Sequence, residues 1–501
     1  MSEQPTPGRL TARESAAIGG LEPRACWRHV AALTKIARPS RHEELVIEHI
    51  RRWAADNGFE VRRDAARNVV VRVPATLGRE SAPTVILQGH LDRVCERRPD
   101  SPNDPAEGRI VLLRDGDWLT ADGTTLGADD GIGIAAMMAL AEDRSLPHGP
   151  VELLMTVIEE IGGEGKGASG LDPSLVSGAT LLNLDSEEDG KLTVGSASST
   201  DTSIRVEKPR ATCGEGAVTM SVCVSGGLGG HSGTDIARGR SNAIKVLGRA
   251  LREALTVAPF RLVSLDGGGS WNAIPRQATA ICSLRPERAA EFRTAVEAAA
   301  ATIRDAYANT DPELAITVAS GPDTTDAWTE NATEGLLDLV AVVPNGLVAM
   351  SPDFRGLVET SSSMGEAVTD RERLTLHHLS RSSNSSALPD VLAALQGAAR
   401  LAGGVLEVGQ ADPGWRPDLD SAVLAASRRV YERLFGEVPI VTAVHAWLET
   451  SVIGGRVPGL DMVSFGPQIE APHSPDERVS IPTVERFWRL LTGVVDELSS
   501  A

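Results

Sequence analysis

Four short apolar runs in this chain stop at residues of the same chemical kind. Thr84–Gln88 (TVILQ), Val151–Val157 (VELLMTV), Ala179–Leu184 (ATLLNL) and Asp461–Phe465 (DMVSF) are β-branched or Leu-rich, and each is long enough to be a buried strand. From about residue 69 such runs alternate with helical stretches, the pattern of an α/β sheet. The first run leads into Gly89 and then His90-Leu91-Asp92. The second leads into Ile158 and the pair Glu159-Glu160, and the third into Asp185. Gly466-Pro467 comes after the fourth, with His473 seven residues past Gly466. A Gly-rich turn, Gly123–Gly133, carries Asp129-Asp130 just ahead of a helix predicted over Ile134–Asp143. Ligands of open α/β sheets bind beyond the carboxyl ends of the strands, so five elements aim His, Asp and Glu at one crevice.

Taken singly these signals are weak. An isolated His-x-Asp is more often a surface histidine, Glu-Glu a solvated pair, and a strand-terminal Asp a helix cap. A Gly-rich turn before a helix can cradle a phosphate, but here its own carboxylates would repel one. Their convergence at equivalent chain positions carries the reading. Two Zn²⁺ about 3.5–4 Å apart need one bridging carboxylate and about two further N or O ligands each. His90, Asp129, Glu160, Asp185 and His473 supply that set, with Asp129 as the bridge. Oxygen and imidazole donors without thiolates suit Zn²⁺ and tolerate Mn²⁺ or Co²⁺. Glu159 is left over beside a ligand, free to act as general base. Asp92 lies two residues from His90, on the same face of an extended segment, and can hold the imidazole ring.

Bulk properties bound the rest. A chain of 501 residues is too long for one core and points to two or three domains. The net charge of −19, without a Lys/Arg block, argues against nucleic acid or an anionic membrane as partner. Aromatics make up only 3%, so Ala, Val, Leu and Ile must fill the cores. The first twenty residues show no apolar stretch behind a basic patch, and apolar runs such as Ile132–Ala141 reach about half a membrane span. Five cysteines (Cys26, Cys95, Cys213, Cys223, Cys282), odd in number and without a C-x-x-C pair, read as reduced thiols in a cytoplasmic protein.

Residues 26–56 carry apolar positions at helical spacing. In the middle third, a loop-like break at Glu207–Gly216 precedes an alternating run (VTMSVCVSG), a Gly cluster and a helix from about Asn242. A strand-like piece (ATAICSLR) then precedes an Ala-rich helix, Arg288–Ala308. This order suits a small α+β domain inserted into the first. The first pattern resumes after about residue 395, with a helix at Val423–Phe435.

Several stretches resemble the aminoacylhistidine dipeptidases (cytosol non-specific dipeptidases), within the larger metallopeptidase family that includes carnosinases and aminoacylases. They are RPSRHEE (38–44), LQGHLDRV (87–94), DGDWLTADGTTLGADDGIGIA (115–135), VIEEIGGEGKGASGL (157–171), LLNLDSEEDG (181–190), GGHSGTDI (229–236), NAIPR (272–276), SPDFRGLVETS (351–361) and SFGPQIEAPHSPDERV (464–479). The resemblance implies a zinc-exopeptidase-like catalytic domain, a mixed sheet flanked by helices, over 1–198 and 395–501. An α+β lid, which also mediates homodimerisation, would occupy 199–394. One zinc would be held by His90, Asp129 and Asp185, the other by Asp129, Glu160 and His473. Glu159 would be the base, Asp92 the supporting acid, and the Asp129–Asp130 peptide would be cis. His231 would steady the oxyanion, Asn272 and Arg381 would bind substrate, and Glu449 (in HAWLET) would meet a free α-amine.

The chain also departs from that branch. Trp447 and Thr450-Ser451 stand among positions that are usually small, Asp130 stands where Asn is common, and SSSMG (361–365) differs from the usual run. The expected activity is hydrolysis of dipeptides, Xaa-His or broad, with a small peptide as partner. The alternatives are an N-acyl or N-carbamoyl amino acid amidohydrolase on the same fold, and a non-catalytic binding protein.

Overall fold

The computed structural model describes residues 10–161, 166–371 and 373–500. Residues 1–9, at the start of the amino-terminal segment searched for a signal peptide, and 162–165, inside VIEEIGGEGKGASGL, lie outside the described residues. The chain forms two compact units. The first comprises Met1–Gly195, Pro417–Ala443 and Glu449–Ala501; the second comprises Ser196–Arg416 and Val444–Leu448. The second crossing thus falls at 416/417 and not at 394/395. The reason is pairing: strand Val405–Asp412 lies antiparallel to Ser198–Glu207, and Leu395, Ala398 and Ala399 of the preceding helix join the second unit's core.

An eight-stranded mixed sheet runs through the first unit. Its order is Glu60–Arg63, Val69–Val73, Val151–Thr156, Val85–His90, Thr180–Asn183, Asp461–Ser464, Lys191–Ser196, Ile440–Val444. The four strands read from the sequence are its parallel centre. Strands Val85–His90 and Val151–Thr156 are buried at every position, as expected of parallel strands covered on both faces. Pairing of His90 with Thr156, Gln88 with Asn183, and Asn183 with Ser464 brings all four carboxyl ends to one edge.

Helix Ala128–Glu142 starts six residues before the predicted Ile134, and every position from Ala128 to Ala141 except Asp129 is buried. Gly131 and Gly133, read from the sequence as part of a turn, lie inside this helix. Gly133 is there for close approach: a Cβ on it would sit 2.2 Å from Asp130 Oδ1. A smaller sheet joins hairpin Ile469–Glu470/Arg478–Ser480 to strand Trp118–Ala121. It brings His473 beside Asp129, in the first turn of helix Ala128–Glu142.

The second unit holds a nine-stranded antiparallel sheet backed by helices Ala243–Val257, Ala289–Ala306, Glu330–Val342 and Leu388–Leu401. The runs VTMSVCVSG and ATAICSLR form paired strands, Val218–Ser225 and Ala278–Leu284. Asn242 caps the helix predicted there, its Oδ1 accepting from Ile244 and Lys245 amides at 3.0 and 3.3 Å. The loop-like break contains a short strand, Arg210–Thr212, which pairs with Asp326–Trp328.

Three long strands escaped the sequence reading: Ser198–Glu207, Val358–Asp370 and Arg373–Ser382. Their buried positions include Thr200, Thr202, Thr360, Ser361, Ser362, Ser380 and Ser382, so apolar alternation is broken. Several of these hydroxyls find partners on neighbouring strands. Thr360 Oγ1 lies 2.8 Å from Ser382 Oγ, and Ser380 donates to Ser362 at 3.1 Å.

All five cysteines are free. Among the described residues no helix is long and apolar enough to cross a membrane. Phe292 is fully buried, edge-on to Phe260 at 5.1 Å between ring centroids. Phe292→Ala is expected to destabilise the second unit by about 3–5 kcal/mol, measured as a fall in urea midpoint. A loss below about 1 kcal/mol would contradict this packing.

Candidate metal centre

Asp129 opens helix Ala128–Glu142 with a non-helical backbone, φ −77° and ψ 118°. Its peptide to Asp130 is trans, against the expectation of a cis bond. Extended backbone at Asp129 within the first turn aims the carboxylate without the ~3–4 kcal/mol of a cis link.

Asp129 Oδ1 lies 2.9 Å from His90 Nε2, and Oδ2 lies 3.0 Å from His473 Nε2. His90 Nε2 is also 3.5 Å from Asp185 Oδ1, and His473 Nε2 is 2.9 Å from Glu160 Oε2. Two groups result, His90–Asp129–Asp185 and Asp129–Glu160–His473, and within each the ligand atoms all lie within 4.8 Å of one another. A tetrahedral ion with bonds of about 2.0–2.1 Å has ligand–ligand edges of about 3.4 Å, so these spacings fit divalent ions and the N/O donors suit zinc. All five side chains expected from the sequence meet here.

The surroundings hold these side chains in place. Asp92 Oδ1 lies 3.6 Å from His90 Nδ1 and accepts the Glu159 amide at 3.1 Å. Its Oδ2 accepts the Glu160 amide at 3.2 Å and the Ser40 hydroxyl at 2.7 Å. The carboxylate of Asp92 therefore positions the Glu–Glu pair, while its backbone carbonyl lies 3.2 Å from the ring Nδ1 of His90. Ile158, just before that pair, takes φ +63°, and His473 takes φ +59°. For a β-branched residue this is an uncommon, strained conformation, of the kind that persists where the surrounding structure over-determines it.

Asp130 is buried; its Oδ1 accepts the Gly133 amide at 3.1 Å and its Oδ2 has no partner. The carboxyl packs so close to Gly89 that a Cβ there would lie 1.9 Å from Oδ2. That contact explains the glycine before His90.

Sequence reading named Glu449 but missed the side chains beneath it. Glu449 Oε2 accepts from Gln88 Nε2 at 2.7 Å and from Thr156 Oγ1 at 2.6 Å. Asn183 donates to Gln88 Oε1 at 2.6 Å, and Ser464 donates to Asn183 Oδ1. These are inward positions of four adjacent parallel strands. A polar residue closing an apolar run, as Gln88 and Asn183 do, was the available signal. Glu187, two residues past Asp185, adds another acid that the sequence reading passed over.

Burial and crowding distort the titrations. Burial pushes Glu187 and Glu449 up to about 8 and Asp185 up to about 7. Burial also raises Glu159 and Asp130 well above the carboxylate range, with neighbouring acids adding to it. For Asp129 burial acts in the same direction, but the bonds from His473 and His90 outweigh it and hold the group low. Burial alone would depress His90, yet Asp185, Asp129 and Asp92 raise it. Hydrogen bonds to Asp129 and Glu160 lift His473 to about 11. So many buried acids in one place call for cations.

In the second unit, His231, Asn272 and Arg381 gather. His231 Nδ1 accepts the Thr234 and Gly233 amides at 3.1 and 3.3 Å, which leaves the proton of the neutral ring on Nε2. Burial, with repulsion from Arg381, brings its pKa down to about 4. Ser232 links the other two: its amide donates to the Asn272 carbonyl at 2.9 Å, and its hydroxyl accepts from Arg381 Nη1 at 2.7 Å. Arg381 is buried and its Nε has no partner.

An ion held by His473 needs the neutral ring, and hydrogen bonds to Asp129 and Glu160 favour the protonated one. Raising pH removes that competitor, so affinity is expected to rise between about pH 6 and 9, with proton release on binding. Calorimetry in buffers of different ionisation enthalpy measures the protons. Uptake of ions with no proton release would contradict this protonation state.

The model of peptidase family M20/M25/M40 matches residues 86–497. The chain is 36% identical over 481 residues to the cytosol non-specific dipeptidase of Escherichia coli (strain K12), covering 96% of this chain and 99% of that protein. Aminoacylhistidine dipeptidase from Vibrio alginolyticus superposes with a TM-score of 0.86 at 36% identity, covering 96% of this chain and 97% of the other. Aminopeptidase PepT from Bacillus cereus, at 16% identity and a TM-score of 0.57 over 96% of this chain and all of its own, shares the fold. Fold, ligand geometry and length of match agree, and the chain belongs to peptidase family M20/M25/M40.

Proposed function

We propose that this chain is a metallo-dipeptidase that hydrolyses the peptide bond of dipeptides, Xaa-His or broad in specificity. One observation carries the reading: Asp129 presents one carboxylate oxygen to His90 and the other to His473. Near full-length similarity to a dipeptidase supports the substrate class.

Two Zn²⁺ per chain, or Mn²⁺ or Co²⁺ in their place, would be held by His90, Asp129 and Asp185 and by Asp129, Glu160 and His473. Such ions, when bound, polarise a carbonyl oxygen and make a water molecule more acidic. The other roles fall to side chains of the protein. Glu159 takes a proton from the attacking water and returns it to the leaving amine, a task suited to a carboxylate whose buried setting raises its basicity. Asp92 keeps the His90 ring and the Glu159 backbone in register.

His231, neutral with a proton on Nε2, offers a donor to the carbonyl oxygen as negative charge develops there. Arg381 pairs with the substrate carboxylate, Asn272 binds the peptide, and Glu449 meets the free α-ammonium. The first unit is the catalytic domain. The second is the lid, through which two copies form a homodimer. The setting is cytoplasmic.

The test is a panel of dipeptides against N-acetyl and N-carbamoyl amino acids, with chelator and with added Zn²⁺ or Mn²⁺. Turnover is expected only on substrates with a free amine, lost on chelation and restored by metal. Activity confined to N-acylated substrates would replace the dipeptidase reading. Glu159→Gln is expected to bind metal like the wild type and lose about 10²–10⁴-fold in kcat. Full activity in that variant would remove Glu159 from the mechanism.

A further inference from the structure

Three segments of the first unit bring ligands to the centre from distant parts of the sequence: 90–92, 126–129 and 473–477. Two buried side chains hold these segments through backbone groups alone. Glu477, four residues past His473, points both oxygens at the start of helix Ala128–Glu142. Its Oε2 accepts the amides of Leu126 and Gly127 at 2.8 and 2.9 Å. Its Oε1 accepts those of Ala128 and Asp129 at 2.7 and 3.4 Å.

Arg38 works on carbonyls. Its Nη1 donates to Leu91 and Asp92 at 2.9 and 2.7 Å, the two residues after His90, and its Nη2 donates to Gly127 at 2.7 Å. Gly127 is thus gripped at its amide by an anion and at its carbonyl by a cation. Glu477 is 2% exposed and Arg38 1%, so solvent does not compete for these bonds. Gly131 leaves the space that Arg38 needs, since a Cβ on it would lie 2.8 Å from Nη2.

A cap on the helix end would need only the Glu477 bonds. What points further is the linkage: the two side chains together tie the backbones of His90, Asp129 and His473 to one another. We propose that Arg38 and Glu477 are positioning residues that set the spacing of these three side chains for metal, so that their bonds govern metal affinity beyond their effect on folding. The inference rests on the reading of those side chains as ligands.

A comparator lies in the same unit. Glu152 is also a buried carboxylate on backbone amides, accepting from Ser177 and Gly178 at 2.7 and 3.2 Å. It sits near the amino end of strand Val151–Thr156, whereas the ligands lie past the carboxyl ends.

The experiment uses the full-length protein, stripped of metal, with Zn²⁺ affinity read by competition with a chromophoric chelator and stability by thermal unfolding of the metal-free form. Glu477→Gln turns an amide NH₂ toward the backbone donors and is expected to weaken Zn²⁺ binding about 10–100-fold. Gly131→Ala displaces the Arg38 guanidinium while improving helix propensity, so affinity should fall with metal-free stability unchanged or raised. Glu152→Gln should lower stability and leave Zn²⁺ affinity at the wild-type value. If Glu477→Gln does not fold, Gly131→Ala decides.

Wild-type affinity in Glu477→Gln or in a folded Gly131→Ala overturns the proposal. So does an equal loss of affinity in Glu152→Gln. A wild-type protein that binds no Zn²⁺ would instead refute the ligand reading itself, and the positioning role with it.

Discussion

The two faces of the Asp129 carboxylate are the point on which the first unit turns. One oxygen meets His90, at the end of a central strand; the other meets His473, on a hairpin from the far end of the chain. Both contacts require the parallel strands to end at one edge. They also require the small sheet that sets strand Arg478–Ser480 against Trp118–Ala121. Neither condition is local. A carboxylate shared between two imidazoles is a product of topology, and the proposed metallopeptidase chemistry depends on it.

Such a centre is costly in the folded chain. Asp129, Asp130, Glu159, Asp185 and Glu449 are all drawn out of water, and all except Asp129 are pushed up by it. Much of the neighbouring structure offsets that burden by supplying donors. Backbone amides serve Asp92 and Glu477, and Gln88 and Thr156 serve Glu449. Left-handed backbone at Ile158 and His473 falls on the segments that bring Glu159, Glu160 and His473 to the candidate centre.

The second unit is built from a different mix of residues. Its helices pack apolar faces in the usual way, but several central strands bury serine and threonine instead of valine and leucine. Hydroxyl pairs such as Thr360–Ser382 satisfy one another across strands, which keeps the sheet polar inside without orphaned groups at those positions. In the same unit burial depresses His231, and repulsion from Arg381 adds to it.

The convergence of the five side chains was legible because strand-forming runs are short and contiguous, and the residues just past the carboxyl ends of neighbouring parallel strands necessarily lie close together in an α/β sheet. The same logic failed for strands such as Val358–Asp370, where packing depends on cross-strand hydroxyls and no period of hydrophobicity betrays it. It failed also for the start of helix Ala128–Glu142, whose glycines serve close packing and not a turn. Residue type and spacing along the chain determined which side chains could meet at one crevice and which element delivers each. Only the tertiary structure decided which oxygen faces which ring, that the Asp129–Asp130 peptide is trans, and which groups Arg38, Gln88 and Glu477 bond. Those outcomes depend on contacts between residues tens to hundreds of positions apart, and no local pattern encodes them.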